Sequence, residues 1–338
     1  LKALQKNMEI FGVRNSVVTC ETPERLSSIF EGYFDKILID APCSGEGMFR
    51  KSSSMIRAWE QNGNEMFSGI QRGILREVVK MLRPNGMILY STCTFDPRED
   101  EDQVMYLREL RRDLSIVPIQ YHEGFVHGEK EWSNSSEADD SLAGTYHLFP
   151  HKVKGEGHYV SLLKAGDDED KGYLVNEYVP HTYRKGSVEE IDGFLSHIKD
   201  ETILSLLELR NDKLYLIPKS SPDMPGFRVM RRGVYLGELK KKRFEPSQSL
   251  AMILKPDDFD NVLKLNEDSV LVKKYLRGES LDIAGYALSD GVEKGIYDSD
   301  IIHDGWTLIC VRDYPLGFGK MTQGTLKNKY LPGWRMMS

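Results

Sequence analysis

The chain has 338 residues, 40% of them hydrophobic, and a formal net charge of −7. That length suits two or three domains with ordinary cores, and no apolar run is long enough for a membrane-spanning helix. An acidic balance excludes a protein that coats nucleic acid wholesale, so any such contact has to come from local basic patches. Four cysteines, Cys20, Cys43, Cys93 and Cys310, are scattered with no C-x-x-C. That spacing argues against a disulfide framework or a zinc finger and for a reducing compartment, so no metal and a cytoplasmic location are expected.

In chain order, residues 1–11 read as a helix, with Leu4, Met8 and Phe11 at helical spacing and Gly12 placed to end it. A chain that opens on Leu1 inside such a helix is expected to be preceded by a further N-terminal portion. Residues 16–20 (SVVTC) read as a strand, and Thr22-Pro23-Glu24 opens a short helix or turn. Residues 34–40 (FDKILID) form the next expected strand, a short apolar run that ends in Asp40 and passes at once into Pro42-Cys43-Ser44-Gly45. From 64 to 82, Met66, Ile70, Ile74, Val78 and Leu82 fall on one face of an expected amphipathic helix. Arg83-Pro84-Asn85-Gly86 stops it, and residues 87–91 (MILYS) form a strand followed by Thr92-Cys93-Thr94. A helix from Asp96 to about Leu110 and a late strand at 159–164 complete this part. Strands alternating with helices indicate an α/β layer with a parallel sheet.

From Gly166 the composition shifts. Asp167-Asp168-Glu169-Asp170 reads as a solvated linker. Helices are expected at 188–198, 203–209 and 258–265, and strands at 213–218 and 227–238. The tail from Ser269 shows short strands and frequent turns, among them Gly317-Phe318-Gly319, which suits a small β-rich module.

A strand-helix-strand crossover makes the two strands that end at Asp40 and before Cys93 parallel. Both C-terminal ends then share one edge of the sheet, where open α/β sheets bind ligands. Asp40, Cys43 and Cys93 are thereby expected in one crevice. Two cysteines and an acid suit methylation of cytosine at C5. A thiolate adding to C6 makes C5 nucleophilic, an acid near N3 supports the charge that develops, and a second thiol assists release.

Asp40-Ala41-Pro42-Cys43-Ser44-Gly45-Glu46-Gly47 and Tyr90-Ser91-Thr92-Cys93-Thr94 resemble motifs of the RNA 5-methylcytosine methyltransferases of the Nop/Sun group, the RsmF-type bacterial rRNA enzymes above all. The similarity extends over Tyr146-His147-Leu148-Phe149-Pro150-His151, Gly157-His158-Tyr159 and the tail. The resemblance implies a Rossmann-like class I methyltransferase sheet, N-terminally truncated here (1–166), a mixed α+β middle domain (167–262) and a PUA-like RNA-binding domain (263–338). It implies S-adenosyl-L-methionine as methyl donor and small-subunit (16S) rRNA, or the small ribosomal subunit, as partner. Cys93 is then the covalent nucleophile, Cys43 the releasing thiol, and Asp40 touches both cytosine and cofactor. Glu21 and Pro42 are further cofactor contacts. The Gly-rich cofactor loop would precede this chain, which leaves half a cofactor site.

Arg50 and Lys51, just past the Cys43 turn, are placed to meet RNA phosphate. Residues 227–243 carry Arg228, Arg231, Arg232, Lys240, Lys241, Lys242 and Arg243, and the tail carries Lys320, Lys327, Lys329 and Arg335 interleaved with Phe318, Tyr330 and Trp334. Basic stretches with aromatics suggest backbone contacts with stacking. Two other functions remain open. One is a non-catalytic RNA-binding protein or fragment. The other is an exocyclic amino-group methyltransferase, whose Asp/Asn-Pro-Pro-aromatic motif the Asp40-Ala41-Pro42-Cys43 run superficially resembles, with Cys43 where an aromatic belongs.

Overall fold

The computed structural model describes residues 2–51, 53–167, 175–288 and 303–336; Asp168, Glu169 and Asp170 of the expected linker lie outside them. The chain divides into two units, Glu21–Val175 and a unit made of Leu1–Cys20 with Asn176–Ser338.

Helix α1 (Lys2–Ile10) ends at Gly12, whose φ of 61° and 2.5 Å approach to the Met252 carbonyl oxygen from a built Cβ both require glycine. Strand β1 (Val17–Thr19) pairs antiparallel with Val229–Arg232, and Cys20 N–H donates to the Arg228 carbonyl at 3.0 Å. By their contacts residues 1–20 group with Asn176–Ser338. The physical reason is the ladder, since a strand's N–H and C=O groups need partners, and the Glu9–Arg231 ion pair at 2.5 Å reinforces it.

In the unit 21–175, α2 (Pro23–Ser27) leads to β2 (Phe34–Asp40), α3 (Ser53–Met81), β3 (Leu82–Thr92) and α4 (Glu101–Leu110). Strands β4 (Ser115–Ile116), β5 (Val126–His127), β6 (Tyr146–Leu148) and β7 (His158–Lys164) follow. They form one sheet in the order β2-β3-β7-β6-β5, with β4 against β7. Only β2 and β3 are parallel, in the register Ile37↔Ile88 and Asp40↔Ser91. The other pairs are antiparallel, so the expected parallel sheet is a mixed one. After α4 the chain makes short strands and turns, not a second crossover helix, and β7 enters from the opposite end.

Helix α3 is broken at Gly63 (φ 64°, ψ 174°), so its second stretch begins at the expected Asn64. Its inward face differs from the expected stripe. Met66 and Ile70 are 50% and 41% exposed, whereas Asn64, Gln71, Leu75 and Val78 are buried. The helix therefore turns two amides inward, toward the cysteine turns described below.

The second unit continues with α5 (Glu189–Leu195), β8 (Leu207–Arg210), β9 (Lys213–Leu216), β10 (Val229–Arg232), β11 (Val234–Lys240), β12 (Arg243–Pro246) and α6 (Gln248–Ile253). It ends with β13 (Val262–Leu265), α7 (Val270–Leu276), β14 (Leu281–Asp282), α8 (Ile283–Leu288), β15 (Gly305–Val311), β16 (Tyr314–Thr322) and β17 (Thr325–Asn328). An antiparallel sheet runs β12-β11-β9-β8, and a five-stranded sheet runs β13-β15-β16-β17-β14.

Three expectations fail here. Residues 203–209 are not a helix: Leu207–Arg210 is a strand, because Asn211 and Asp212, with φ of 49° and 62°, make a two-residue hairpin turn into β9. Residues 258–265 end in β13, whose apolar side chains alternate into the core beside β15. Gly317-Phe318-Gly319 lies inside β16, where Gly317 admits the Tyr275 hydroxyl and Gly319 admits Leu326.

Candidate active site

Asp40 is the last residue of β2 and Cys93 follows β3, and the Asp40↔Ser91 register sets the two strand ends level. The Ala41 N–H donates to the Ser91 carbonyl at 3.0 Å. Gly45, in the left-handed region at φ 75°, then turns the chain back over β3. The result places Cys43 Sγ 3.1 Å from Cys93 Sγ, with the Cys93 N–H donating to Cys43 Sγ at 3.3 Å. Both are free thiols and both are half-buried. Asp40 is exposed at the rim.

The two cysteine turns are stitched together. The Gly47 N–H donates to the Cys93 carbonyl at 2.9 Å. Glu46 accepts from the Thr94 hydroxyl at 3.1 Å and from the Phe95 N–H at 3.2 Å through one oxygen, and from Asn64 Nδ2 at 3.1 Å through the other. Since Thr94 gives its one proton to Glu46, Ser44 is the donor in the 2.8 Å Ser44–Thr94 contact. Gly47 is required by packing, because a Cβ there would stand 2.6 Å from Gly157 Cα.

The sulfurs do not titrate alike. A hydrogen bond from the Cys43 thiol holds Cys93 below the ordinary thiol range, against burial and the opposing charge of Asp40. Retaining that proton, and then burial, drives Cys43 up. Of the two, Cys93 is thus the sulfur that ionises more readily, and Cys43 the one that keeps its proton. Elsewhere Cys20 is exposed, and burial pushes the Cys310 thiol up to about 12.

Beneath the pair lies a polar layer that the sequence did not announce. Glu99, Asp100 and Glu101 are all 0% exposed. Glu99 Oε2 accepts from the Ser44 N–H at 3.0 Å and from Gln71 Nε2 at 2.9 Å, and the Glu99 carbonyl accepts from the Tyr90 hydroxyl at 2.6 Å. Asp100 accepts from the Thr92 hydroxyl at 2.6 Å. Burial pushes both carboxyls up, Asp100 strongly. Asp100, Glu101 and His147 bring one potential ligand atom each within 4.8 Å of one another, the only such trio among the described residues. His147 Nε2 and Glu101 Oε1 already bond to each other at 2.7 Å. The DPREDED run reads in sequence as an ordinary acidic helix start. Its burial depends on β7 and β6 closing over it, and only Gln71, a polar residue in phase with Leu75 and Val78, hinted at an inward polar face.

The remaining candidates are dispersed. Glu21 is ion-paired with Arg25 at 2.7 Å, and its side chain is almost wholly buried. Pro42 is exposed, with its carbonyl accepting from Gln71 Nε2 at 2.9 Å. Arg50 donates to the Gly155 carbonyl at 2.9 Å and faces Glu156 at 3.5 Å, and Lys51 is exposed beside it. Lys320 and Lys327 face each other across β16 and β17, both exposed. Arg335 is exposed and lies over Gly278.

Two stacking and phosphate expectations need correction. Phe318 is 2% exposed, held among Phe194, Phe259 and Trp306, and presents no face to a base. Arg232 is buried with its guanidinium 4.1 Å over the Tyr178 ring, and Arg231 is taken by Glu9.

Three family models match successive parts of the chain. The model described as 16S rRNA methyltransferase RsmB/F matches residues 1–164, the RsmF rRNA methyltransferase first C-terminal domain matches 193–254, and the Methyltransferase RsmF PUA domain matches 261–336. Among curated relatives, the ribosomal RNA small subunit methyltransferase F of Erwinia tasmaniensis is 26% identical over 98% of this chain and 65% of its own length. Its namesake in Salmonella paratyphi A is 25% identical over 98% and 65%, and that of Vibrio parahaemolyticus 23% identical over 97% and 66%. The chain thus spans just under two thirds of the length of these relatives. The three RsmF segments are matched in order, from the methyltransferase part through the PUA domain, so over most of its length the chain is similar to the RsmF-type rRNA methyltransferases.

Proposed function

We propose that this chain carries the cysteine chemistry of an S-adenosylmethionine-dependent methyltransferase acting at cytosine C5 in small-subunit (16S) rRNA. The observation that carries the proposal is the sulfur pair: Cys93 and Cys43 at 3.1 Å on the strand edge that also bears Asp40. Cys93, held as the thiolate, adds to C6 of the base. Asp40, at the exposed rim, brings a proton to N3 on its carboxyl and so neutralises the negative charge that develops on the ring. S-adenosylmethionine would supply the electrophilic methyl group, and the exposed crevice rim at Asp40 and Pro42 fits its approach, with Glu21 as a further contact. Once C5 is methylated, Cys43, having given its own proton to solvent, takes the C5 proton as the Cys93–C6 bond breaks, and Cys93 leaves as the thiolate to which the Cys43 thiol again donates. Exocyclic amino transfer is disfavoured, because that chemistry stacks the base on an aromatic where Cys43 stands.

The RNA partner is assigned to the C-terminal strands by the exposed Lys320–Lys327 pair. Reversing both charges should lower the slope of log affinity against log salt by about two, one per lost phosphate contact. An unchanged slope would remove those lysines from the interface.

The chemistry is tested with the full-length protein and 16S rRNA carrying 5-fluorocytosine, which traps the adduct. Cys93→Ala should abolish the denaturant-stable protein–RNA adduct. On ordinary rRNA, Cys43→Ala should let an adduct accumulate because release is slowed. An adduct that persists in Cys93→Ala and vanishes in Cys43→Ala would exchange the two roles. No adduct in any variant would favour a non-catalytic RNA-binding protein.

A further inference from the structure

The proposed chemistry uses side chains at the crevice surface and none of the buried polar residues beneath it. Two of these hold the chain on either side of Cys43. Gln71 Nε2 donates at 2.9 Å to the Pro42 carbonyl, and at 2.9 Å to Glu99 Oε2. The same Glu99 oxygen accepts from the Ser44 N–H at 3.0 Å. The Pro42 carbonyl belongs to the peptide group before Cys43 and the Ser44 N–H to the one after it. Both peptide planes flanking Cys43 are therefore tied to one closed path, Pro42–Gln71–Glu99–Ser44. Fixing the two planes fixes the backbone dihedrals of Cys43 and so the direction of its Cα–Cβ bond.

Both clamp side chains are 0% exposed, so no water competes for these bonds. They come from separate elements, Gln71 from the middle of α3 and Glu99 from the turn before α4. Each also carries a buried oxygen with no partner, Gln71 Oε1 and Glu99 Oε1. Leaving such atoms unpaired is costly; a leucine in either place would remove the unpaired oxygen but would strip the Pro42 carbonyl or the buried Ser44 N–H of its partner. Polar residues here carry an expense that packing alone does not require.

The geometry points to Gln71 and Glu99 as positioning residues that lock the Cys43 backbone and thereby keep its sulfur in hydrogen-bonding contact with Cys93. The consequence for methyl transfer rests on the reading of Cys93 as the attacking thiolate; the clamp itself does not. Without it, the Cys43 turn loses its fixed dihedrals, the sulfur–sulfur contact opens, and Cys93 ionises as an ordinary thiol. The clamp works through hydrogen-bond acceptance and not through charge. Burial already favours the uncharged form of Glu99, and the carbonyl oxygen of a glutamine there can accept both bonds.

The test measures the pH dependence of iodoacetamide alkylation at Cys93, read by peptide mass spectrometry on the full chain without RNA or methyl donor. Wild type and Glu99→Gln should share one midpoint, below that of a free cysteine. Glu99→Ala and Gln71→Leu should move it up and make Cys93 roughly tenfold less reactive at pH 7. Thermal melts establish that each variant is folded. Should Glu99→Ala fail to fold, Gln71→Leu decides, since it spares the Glu99–Ser44 bond. A folded Gln71→Leu or Glu99→Ala with the wild-type midpoint overturns the clamp. So does a Glu99→Gln midpoint shifted as far as that of Glu99→Ala, which would make charge the operative feature. Failure of the adduct experiment would remove the catalytic reading and leave the clamp standing; an unchanged midpoint would do the reverse.

Discussion

The floor of the cysteine crevice and the core of the C-terminal sheets are equally closed to solvent but are filled with opposite materials. Under the cysteines lie Gln71, Thr92, Thr94, Glu99, Asp100, Glu101, Gln103 and Ser161, every one 0% exposed. Several of their atoms, including Glu99 Oε1, Asp100 Oδ2, Gln103 Oε1 and Ser161 Oγ, have no partner. In the C-terminal unit the same depth is occupied by Phe194, Phe244, Leu250, Phe259, Leu308 and Phe318. Of the polar groups buried there, Tyr275 donates to the Phe318 carbonyl at 2.9 Å, Asn261 Nδ2 serves the carbonyls of His303 and Trp306 and the Thr307 hydroxyl, and among the described residues of that unit one buried side-chain atom, Asp192 Oδ1, lacks a partner. An unpaired buried polar atom costs about 1–3 kcal/mol, so the crevice floor is the more expensive construction. Such expense is concentrated where geometry must be held for chemistry. In the C-terminal core the aromatic cluster supplies stability and the function is left to the surface.

This contrast can be tested by damaging each region. Phe318→Ala should be the most destructive change, costing about 3–5 kcal/mol in chemical denaturation through lost transfer energy and a cavity among three aromatic rings. The folded variant should keep the wild-type alkylation profile at Cys93; a changed profile would mean that the two regions are not independent.

Gly47→Ala should cost about 1–3 kcal/mol, because its Cβ would press on Gly157 backbone that cannot yield as a side-chain tip can. Unlike Phe318→Ala, it should also slow diamide-induced linkage of Cys43 to Cys93, read as a loss of two mass units on the joined peptides.

Asp100→Asn should stabilise the protein at neutral pH. Burial raises the Asp100 carboxyl in the folded state, so the folded chain holds a proton that the unfolded chain has released. That contribution is fully present below the unfolded carboxylate pKa and is lost as pH rises through the folded one. The asparagine variant keeps the acceptor for Thr92 and should flatten this decline in urea titrations run across the acidic to neutral range. An unchanged slope would show that Asp100 is not the group responsible.

The smallest effect is expected at the surface of the same unit. Arg108 holds Asp139 down at about 2, below its ordinary 3.8. The stability it contributes is present above the ordinary value and is lost as pH falls toward the folded one. Asp139 is 48% exposed, so screening leaves only a few tenths of a kcal/mol. Asp139→Asn should shift the acid limb of the stability curve by no more than that; a larger shift would mark the ion pair as structural.

Much of this was legible in local pattern. The Asp40 to Cys43 passage, the strand before Cys93 and the crossover between them follow from apolar runs punctuated by turn residues, and parallel pairing follows from the crossover. Residues 258–265 depart from the expected helix because a short apolar segment satisfies a helical and an extended period about equally. The ILSLLEL stretch failed for a related reason, since the hairpin turn at Asn211-Asp212 outweighs its helical spacing. Residues 16–20 were rightly read as extended, but a strand does not carry the name of its partner, and β10 lies far along the chain.

What the sequence determined alone is the pair of cysteines, the acid beside them and the strand ends that carry all three to one edge, because period and punctuation are local properties. Tertiary structure alone decided what distinguishes the two sulfurs. Cys43 and Cys93 are equivalent as residues, and their difference arises from a 3.1 Å hydrogen bond that leaves the proton on Cys43 and from unequal burial, against the opposing charge of Asp40. It likewise decided that Gln71 and Glu99 face Cys43 while Phe318 and Arg232 turn inward. Burial is set by what closes over a residue, and for each of these the closing element is distant in the chain.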